Sequence, residues 1–343
     1  MEIRERSFVT AEEVAKLAGV SRSAVSRTFT DGASVSPGTR KKVLQAAETL
    51  GYHVNHLARG LSHERSNIIC LVVSDVSTPY QAQMIDIVTK KLQSVGKIAM
   101  VINTIGSTEE VAAAMRQTVN YRAEAVIVLS GTPSPSLIAT CLSNGQRVIL
   151  INRDDQLSGP TNIVVQNGQA GREAYQLLKR AGCARIAVVS STAGTPSLMA
   201  RETAFIAAAR EDGRDTQVMR TGPTGYATGA EAARQLFSRT SAPDGIFCIT
   251  DLLAMGCMDV ARDEFGIVVP DELSIIGFDN IEQASWIAYN LTTFSQPLGA
   301  IAEHIASLLV AGGSSAAANE TVSFHPVPVW RRSVRPRMPR SGE

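Results

Sequence analysis

Apolar residues keep helical spacing up to about residue 50, then switch at Asn67 to short continuous runs separated by amphipathic stretches. In the first region Val14, Leu17 and Ala18 mark one helical face, Val25 and Phe29 a second, and Val43, Leu44, Ala47 and Leu50 a third. The punctuation agrees with that reading. Thr10 stands before the first helix with Glu13 three residues on, as in a capping box. Gly19 supplies the positive φ that ends this helix and starts a turn. Ser21 caps the second helix, and Ser36-Pro37 opens the third, which Gly51 closes. Two short helices joined by a tight glycine-containing turn predict a helix-turn-helix.

Beyond Asn67 the runs read as buried strands alternating with helices. Strands are expected at 68–73, 98–102, 125–129 and 148–151, with helices near 81–95, 109–121 and 137–142 between them. A second series is expected to begin near Ile163, with strands at 185–189, 217–220, 245–249 and 274–278. Its helices are expected near 168–180, 197–211, 225–238 and 252–264. Continuous apolar strands with helical crossovers imply parallel sheets covered on both faces. The fold class is therefore a small all-α head followed by an α/β core of two doubly wound parallel-sheet subdomains.

Composition changes this picture little. The 343 residues suffice for two or three domains, and the net charge of +1 gives no global pull toward nucleic acid. Up to residue 66, however, ten basic side chains face seven acidic ones, an excess of three. The five cysteines are scattered, with no C-x-x-C pair, which fits buried free thiols in a reducing compartment. No apolar run reaches membrane-span length, and the N-terminus lacks a signal peptide's apolar region, so a cytoplasmic protein is expected. There is no phosphate-binding loop, no H-E-x-x-H and no G-x-S-x-G, and the five histidines are not clustered. No catalytic set, metal or cofactor is expected.

Residues 9–28, Ser36-Pro37, Leu50-Gly51-Tyr52 and the run Asn55-His56-Leu57-Ala58-Arg59-Gly60-Leu61 closely resemble the DNA-binding head and hinge of the LacI/GalR family of bacterial transcription regulators. The later βα series also resembles that family's effector-binding core, which is periplasmic-binding-protein-like. The resemblance implies a head at 1–54, a hinge at 55–66 and a core at 67–330. The core's first subdomain would hold about 67–162 and 292–322, its second about 163–291 and 323–330. Residues 331–343, rich in Arg and Pro, read as a basic disordered tail. No leucine heptads follow, so the family's tetramerisation tail is not expected.

The exposed face of the second helix carries Arg22, Ser23, Ser26 and Arg27, types that reach base edges in a major groove. With the caps Thr10 and Ser21, and with Asn55, Ala58 and Leu61 of the hinge, they form the expected contact set for double-stranded operator DNA. In the family the hinge leucine wedges into the minor groove, and Ala58 matches the small residue where two hinges of a homodimer meet.

Effector-binding candidates lie just past strand ends, where a cleft between two α/β lobes should open. They are Asp75, Asn152, Arg153, Asp251 and Asp279; the resemblance adds Tyr80, in a turn like the family's N-P-[FY], and Arg201, in the helix after the 185–189 strand, which matches the family's ligand-clamping arginine. Carboxylates accept from hydroxyls and a guanidinium donates to them, so the set suits a sugar, sugar alcohol or sugar acid. Asp251 precedes a helix and also reads as its cap. The family's ligand-stacking aromatic aligns with Thr224, leaving Tyr80 or Tyr226 as substitutes, and Cys183 and Ala204 depart from the family pattern as well. The expected function is a sequence-specific repressor controlled by such an effector. The alternatives are a purine or nucleoside effector or corepressor, or a solute-binding protein without DNA function.

Overall fold

The computed structural model describes residues 8–30, 32–53, 66–152, 159–310 and 320–336. Hinge residues Asn55, Ala58 and Leu61, and the cleft candidate Arg153, lie outside the described residues. The chain divides into two units between Ser66 and Asn67.

The first unit holds α1 (Ala11–Ala18), α2 (Arg22–Thr28) and α3 (Pro37–Leu50). Each end is set locally. Thr10 and Glu13 form the reciprocal capping box, Gly19 and Gly51 sit at φ 64° and 65°, and Ser21 and Ser36 accept from backbone N–H groups of their helices. Val14, Ala15, Val25, Val43, Ala46 and Ala47 make the small core, with Phe29 and Tyr52 tilted against each other at its edge. Leu17 and Leu44, expected in that core, are instead about half exposed, at 53% and 46%. With helices this short, one alanine-rich contact face is enough, and the neighbouring leucines fall off it.

The second unit contains two parallel sheets. The first has the order β11-β5-β4-β3-β1-β2, formed by β1 (Ile68–Ser74), β2 (Ile98–Thr104), β3 (Ala125–Val128), β4 (Arg147–Ile151), β5 (Thr161–Val165) and β11 (Thr321–Phe324). Strand periodicity sorts its side chains cleanly. Ile69, Leu71, Val73, Ile127 and Ile149 face α4 (Pro79–Ser94). Val72, Val126, Val128, Val148 and Leu150 face α5 (Thr108–Asn120) and α6 (Pro135–Ser143). β2 is the edge and is only partly covered.

The second sheet has the order β7-β6-β8-β9, formed by β6 (Ile186–Ser190), β7 (Thr216–Arg220), β8 (Gly245–Cys248) and β9 (Ser274–Ile276). Around it lie α7 (Asn167–Arg180), α8 (Pro196–Glu211), α9 (Tyr226–Phe237) and α10 (Asp251–Asp259), the last running on into a π turn at Val260–Glu264. Helix pairs α7/α8 and α9/α10 approach closely at glycines. A Cβ on Gly171 would collide with the Arg201 carbonyl, and one on Gly229 with the Leu253 carbonyl.

Three boundaries differ from expectation. Ile163 does not open the second series: β5 pairs in parallel with β4 and with β11, so it belongs to the first sheet. For the same reason Ser323 and Phe324 belong with the first sheet rather than the second subdomain. Residues 331–336 are no tail. Ser333 is fully buried, its hydroxyl bridges Thr292 N–H and Ile275 C=O, and Val334 joins the core. The chain crosses between lobes after β5, through β10 (Thr293–Ser295), and through β12 (Val327–Val329), the last two paired antiparallel. After β10, α11 (Leu298–Val310) returns to pack on α4.

Candidate functional site

The head presents one candidate surface. α2 buries Val25 and Thr28 and leaves Arg22, Ser23, Ser26 and Arg27 exposed. The hydroxyl of Ser21 accepts from Ala24 N–H at 3.2 Å and lies 2.9 Å from that of Ser23. The Thr10 hydroxyl donates to Glu13 at 2.9 Å. Thr10 and Ser21 are therefore engaged in capping first. Backbone and side-chain hydrogen bonds from Thr10 hold the Glu13 carboxyl below its ordinary range. Arg40 fastens α3 to the end of α2 by donating to Thr28 C=O at 3.2 Å. The result is a short rigid helix with a cationic, hydroxyl-bearing face, which is the chemistry of phosphate and base-edge contact.

The second candidate is a cavity of about 540 Å³ between the lobes of the core. Strand ends build its walls, and the backbone turns sharply there. Asp75 after β1, Asn152 after β4 and Asp279 after β9 have φ of 55°, 55° and 117°. Asp and Asn tolerate the first two; the third is strained for any side chain. Asp279 is held in place by its N–H, which donates to Phe294 C=O at 2.9 Å.

Arg201 sits on the floor, 3% exposed. Its Nε donates to Asn167 Oδ1 and its Nη1 to Ile249 C=O, both at 2.8 Å. The guanidinium lies 3.4 Å from the centroid of Phe278 and 3.9 Å from Asp279 Oδ1. Asp279 also accepts from Gln296 Nε2 at 2.8 Å, and Gln296 Oε1 accepts from the Tyr80 hydroxyl at 3.1 Å. A continuous polar chain thus runs from Tyr80 in one lobe to Arg201 in the other. Burial pushes the Asp279 carboxyl up to about 6, although Arg201 and Gln296 pull it down. Burial also lowers the Arg201 pKa, against the neighbouring carboxylates, and raises that of Tyr80.

Asp75, Tyr80, Asn152, Arg201 and Asp279 all line the cavity. Asn152 has a second role: its Oδ1 accepts from Val165 N–H at 2.8 Å, tying β4 to β5. Asp251 is not among the lining residues. It is fully buried, with Oδ2 accepting from Ile281 N–H at 2.9 Å and Oδ1 from the Thr293 hydroxyl at 2.5 Å. It anchors the loop after β9 to the second crossover. Tyr226 also lies away from the cavity and donates to Asp259 at 2.6 Å. Sequence reasoning missed Gln296 and Asn167, which orient the charged pair. Gln296 lies just past residue 292, where the chain was expected to return to the first subdomain, so its signal was present.

A polar cleft between two parallel-sheet lobes, with a helix-turn-helix unit ahead of them in one chain, is the arrangement that known proteins share. A family model described as "Bacterial regulatory proteins, lacI family" matches residues 10–55, and one described as "Periplasmic binding protein-like domain" matches 174–334. HTH-type transcriptional regulator DegA of Bacillus subtilis is 30% identical over 294 residues, covering 84% of this chain and 87% of its own. The chain belongs to the LacI family. Among solved structures, the Lac repressor dimer bound to operator and the anti-inducer ONPF is similar in fold, with TM-score 0.85. It is 20% identical and covers 96% of this chain and 100% of its own. The transcriptional regulator CelR–cellobiose complex is 25% identical with TM-score 0.69, covering 95% and 99%. The family's helix-turn-helix match falls on the unit that exposes Arg22 and Arg27, and its periplasmic-binding-protein match spans Arg201 and Asp279.

Proposed function

We propose that this LacI-family protein is a cytoplasmic, homodimeric transcription repressor that reads operator DNA through α2 and senses a sugar, sugar alcohol or sugar acid in the interlobe cleft. The observation that carries the reading is the buried Arg201–Asp279 pair on the cleft floor, linked through Gln296 to Tyr80 of the opposite lobe. A ligand that touches both ends of this chain favours one state of lobe closure. It shifts DNA binding only by its differential affinity for the two states. The proposed effector contacts are Asp75, Tyr80, Asn152, Arg201 and Asp279. Arg153 stays in the set on sequence grounds, and Asp251 leaves it.

On the DNA side Arg22, Ser23, Ser26 and Arg27 are to meet the major groove. The hinge at 55–66 is to pair with its dimer mate over the minor groove through Ala58 and Leu61. Arg201 and Asp279 face each other and are held by side-chain amides and backbone, an arrangement for holding a ligand rather than breaking a bond. Among the described residues no helix is long and apolar enough to cross a membrane.

The test is operator binding by fluorescence anisotropy, with and without effector, for the wild type, Asp279→Ala and Arg201→Ala. Losing one charge-assisted hydrogen bond costs roughly 1.5–3 kcal/mol, or about ten- to a hundredfold in effector affinity. Operator affinity without effector is expected to stay as in the wild type. Variants that keep wild-type effector response would show that the cleft is not the sensing site.

A further inference from the structure

We propose that the core carries a second ligand site, apart from the cleft, for a nucleoside phosphate, an anion with a flat ring. The site is a cavity of about 550 Å³, within the ordinary range for a small-molecule pocket. It lies on the second lobe, where the end of α7, the loop holding Pro270 and the closing segment 330–336 meet. No described residue lines both this cavity and the cleft, so the proposal stands apart from the effector reading.

The lining combines two chemistries. Leu177, Ala181, Pro270 and Val334 give an apolar wall, and Trp330 stands beside them with 58% of its surface exposed. An indole that open is a stacking platform for a flat ring. The charged groups among the described lining residues are Arg180, Arg331, Arg332 and Arg335. Two of them are anchored. Arg331 donates to Leu291 C=O at 2.8 Å and to Asn280 Oδ1 at 2.7 Å, and Arg335 donates to Asp244 C=O at 3.2 Å. Ser333, between them, is fully buried and fixes the segment to the core. The other two, Arg180 and Arg332, make no side-chain hydrogen bond or ion pair among the described residues. A guanidinium offers a planar fork of N–H donors that matches phosphate oxygens two at a time. Like charges around an apolar pocket repel one another, and Asp244 answers only Arg335, at 3.8 Å. A bare phosphate would meet the forks and leave the indole and the apolar wall uncovered. An uncharged ring would cover the wall and leave the forks unmatched. A ligand with both ends satisfies both.

The experiment is calorimetry on the full-length protein with AMP, GMP, CMP and UMP, with their nucleosides and with inorganic phosphate. At least one nucleotide is expected to bind at least about tenfold more tightly than its own nucleoside and than inorganic phosphate. Arg180→Ala combined with Arg332→Ala removes two unengaged side chains, so thermal unfolding is expected to stay as in the wild type while nucleotide affinity falls at least about tenfold. Trp330→Leu is expected to bring the nucleotide close to inorganic phosphate. Asp279→Ala, in the cleft, is expected to bind nucleotide as the wild type does. The proposal is overturned if no nucleotide binds, if phosphate or a nucleoside alone binds as tightly, or if the double arginine variant keeps its affinity. Loss of binding in Asp279→Ala would place the nucleotide in the cleft and overturn it too. A chain ending at Pro336 is expected to bind as the full chain does. Nucleotide bound by that shortened chain alone would assign the cavity to the chain's own residues 337–343 instead.

Discussion

Asp251 is the sharpest place to test how a charged residue at a strand end is used. Both carboxylate oxygens are engaged, and Thr293 is as fully buried as Asp251 itself. Burial, reinforced by Asp279, pushes the Asp251 carboxyl well above its ordinary range, although the bonds from Thr293 and Ile281 and the nearby Arg331 pull it down. In its protonated form one oxygen accepts from Ile281 N–H while the other donates to the Thr293 hydroxyl. Asn can reproduce both bonds; Ala can reproduce neither. Asp251→Ala leaves two buried polar groups unpaired at about 1–3 kcal/mol each, a loss of about 2–6 kcal/mol. Asp251→Asn is expected within about 1 kcal/mol of the wild type near neutral pH, since both bonds survive.

Urea denaturation followed by fluorescence of Trp286 and Trp330, the chain's two tryptophans, measures this. The pH slope adds a second reading. A raised folded-state pKa means that the native chain holds a proton the unfolded chain has released. Wild-type stability therefore falls as pH rises from the ordinary carboxylate range through the raised value, and the Asn variant lacks that contribution. Equal destabilisation by Asn and Ala would refute the neutral-pair argument. An Asn variant of unchanged stability that lost effector binding would show that Asp251 touches the ligand after all.

Gly171→Ala drives a methyl group into the Arg201 backbone, and is expected to cost about 1–3 kcal/mol and to weaken effector binding, measured by thermal unfolding and calorimetry. With Asp279 titrating near 6, affinity for a ligand that donates to its carboxylate is expected to fall up to tenfold per pH unit below that point, and titrations at pH 5 and pH 8 check it. Without effector the sign reverses: the native state binds the extra proton, so Asp279 makes stability drop by at most about 3 kcal/mol as pH rises from roughly 4 to 6. In the head, Arg22→Ala or Arg27→Ala is expected to cost about 1–3 kcal/mol and to relax preference at one base pair per half-site, whereas Lys41→Ala weakens all sequences alike, as seen in anisotropy on a panel of single-base operator variants.

The head was readable because its determinants are local. Thr10 with Glu13, Gly19, Ser21 and Ser36-Pro37 each act within four residues, and the structure uses every one of them. The alternation of strands and helices in the core was readable for the same reason. Lobe membership was not. Nothing near Ile163 distinguishes the last strand of one sheet from the first of the next; the answer lies in its pairing with Val322, far along the chain. Composition misled at 331–336, where an Arg- and Pro-rich stretch hides Ser333 and Val334, two residues that dock against the core. Asp251 and Asp279 look alike in sequence, each an acid after a strand. One faces the cleft and the other lies beneath it, a difference made by tertiary packing alone.

The late pairing of β11 with β5 also bears on how the protein is born. Residues 8–53 close their own small core and carry all the caps they need, so the head can fold soon after it leaves the ribosome. The first sheet of the core stays one strand short until Phe324 has been made, roughly 270 residues later, or about 15 to 50 seconds at ordinary elongation rates. Contacts of such long sequence separation also form slowly once the chain is free. For that interval the nascent polypeptide carries a folded head but an unfinished core, so nothing held in the interlobe cleft can yet act on it.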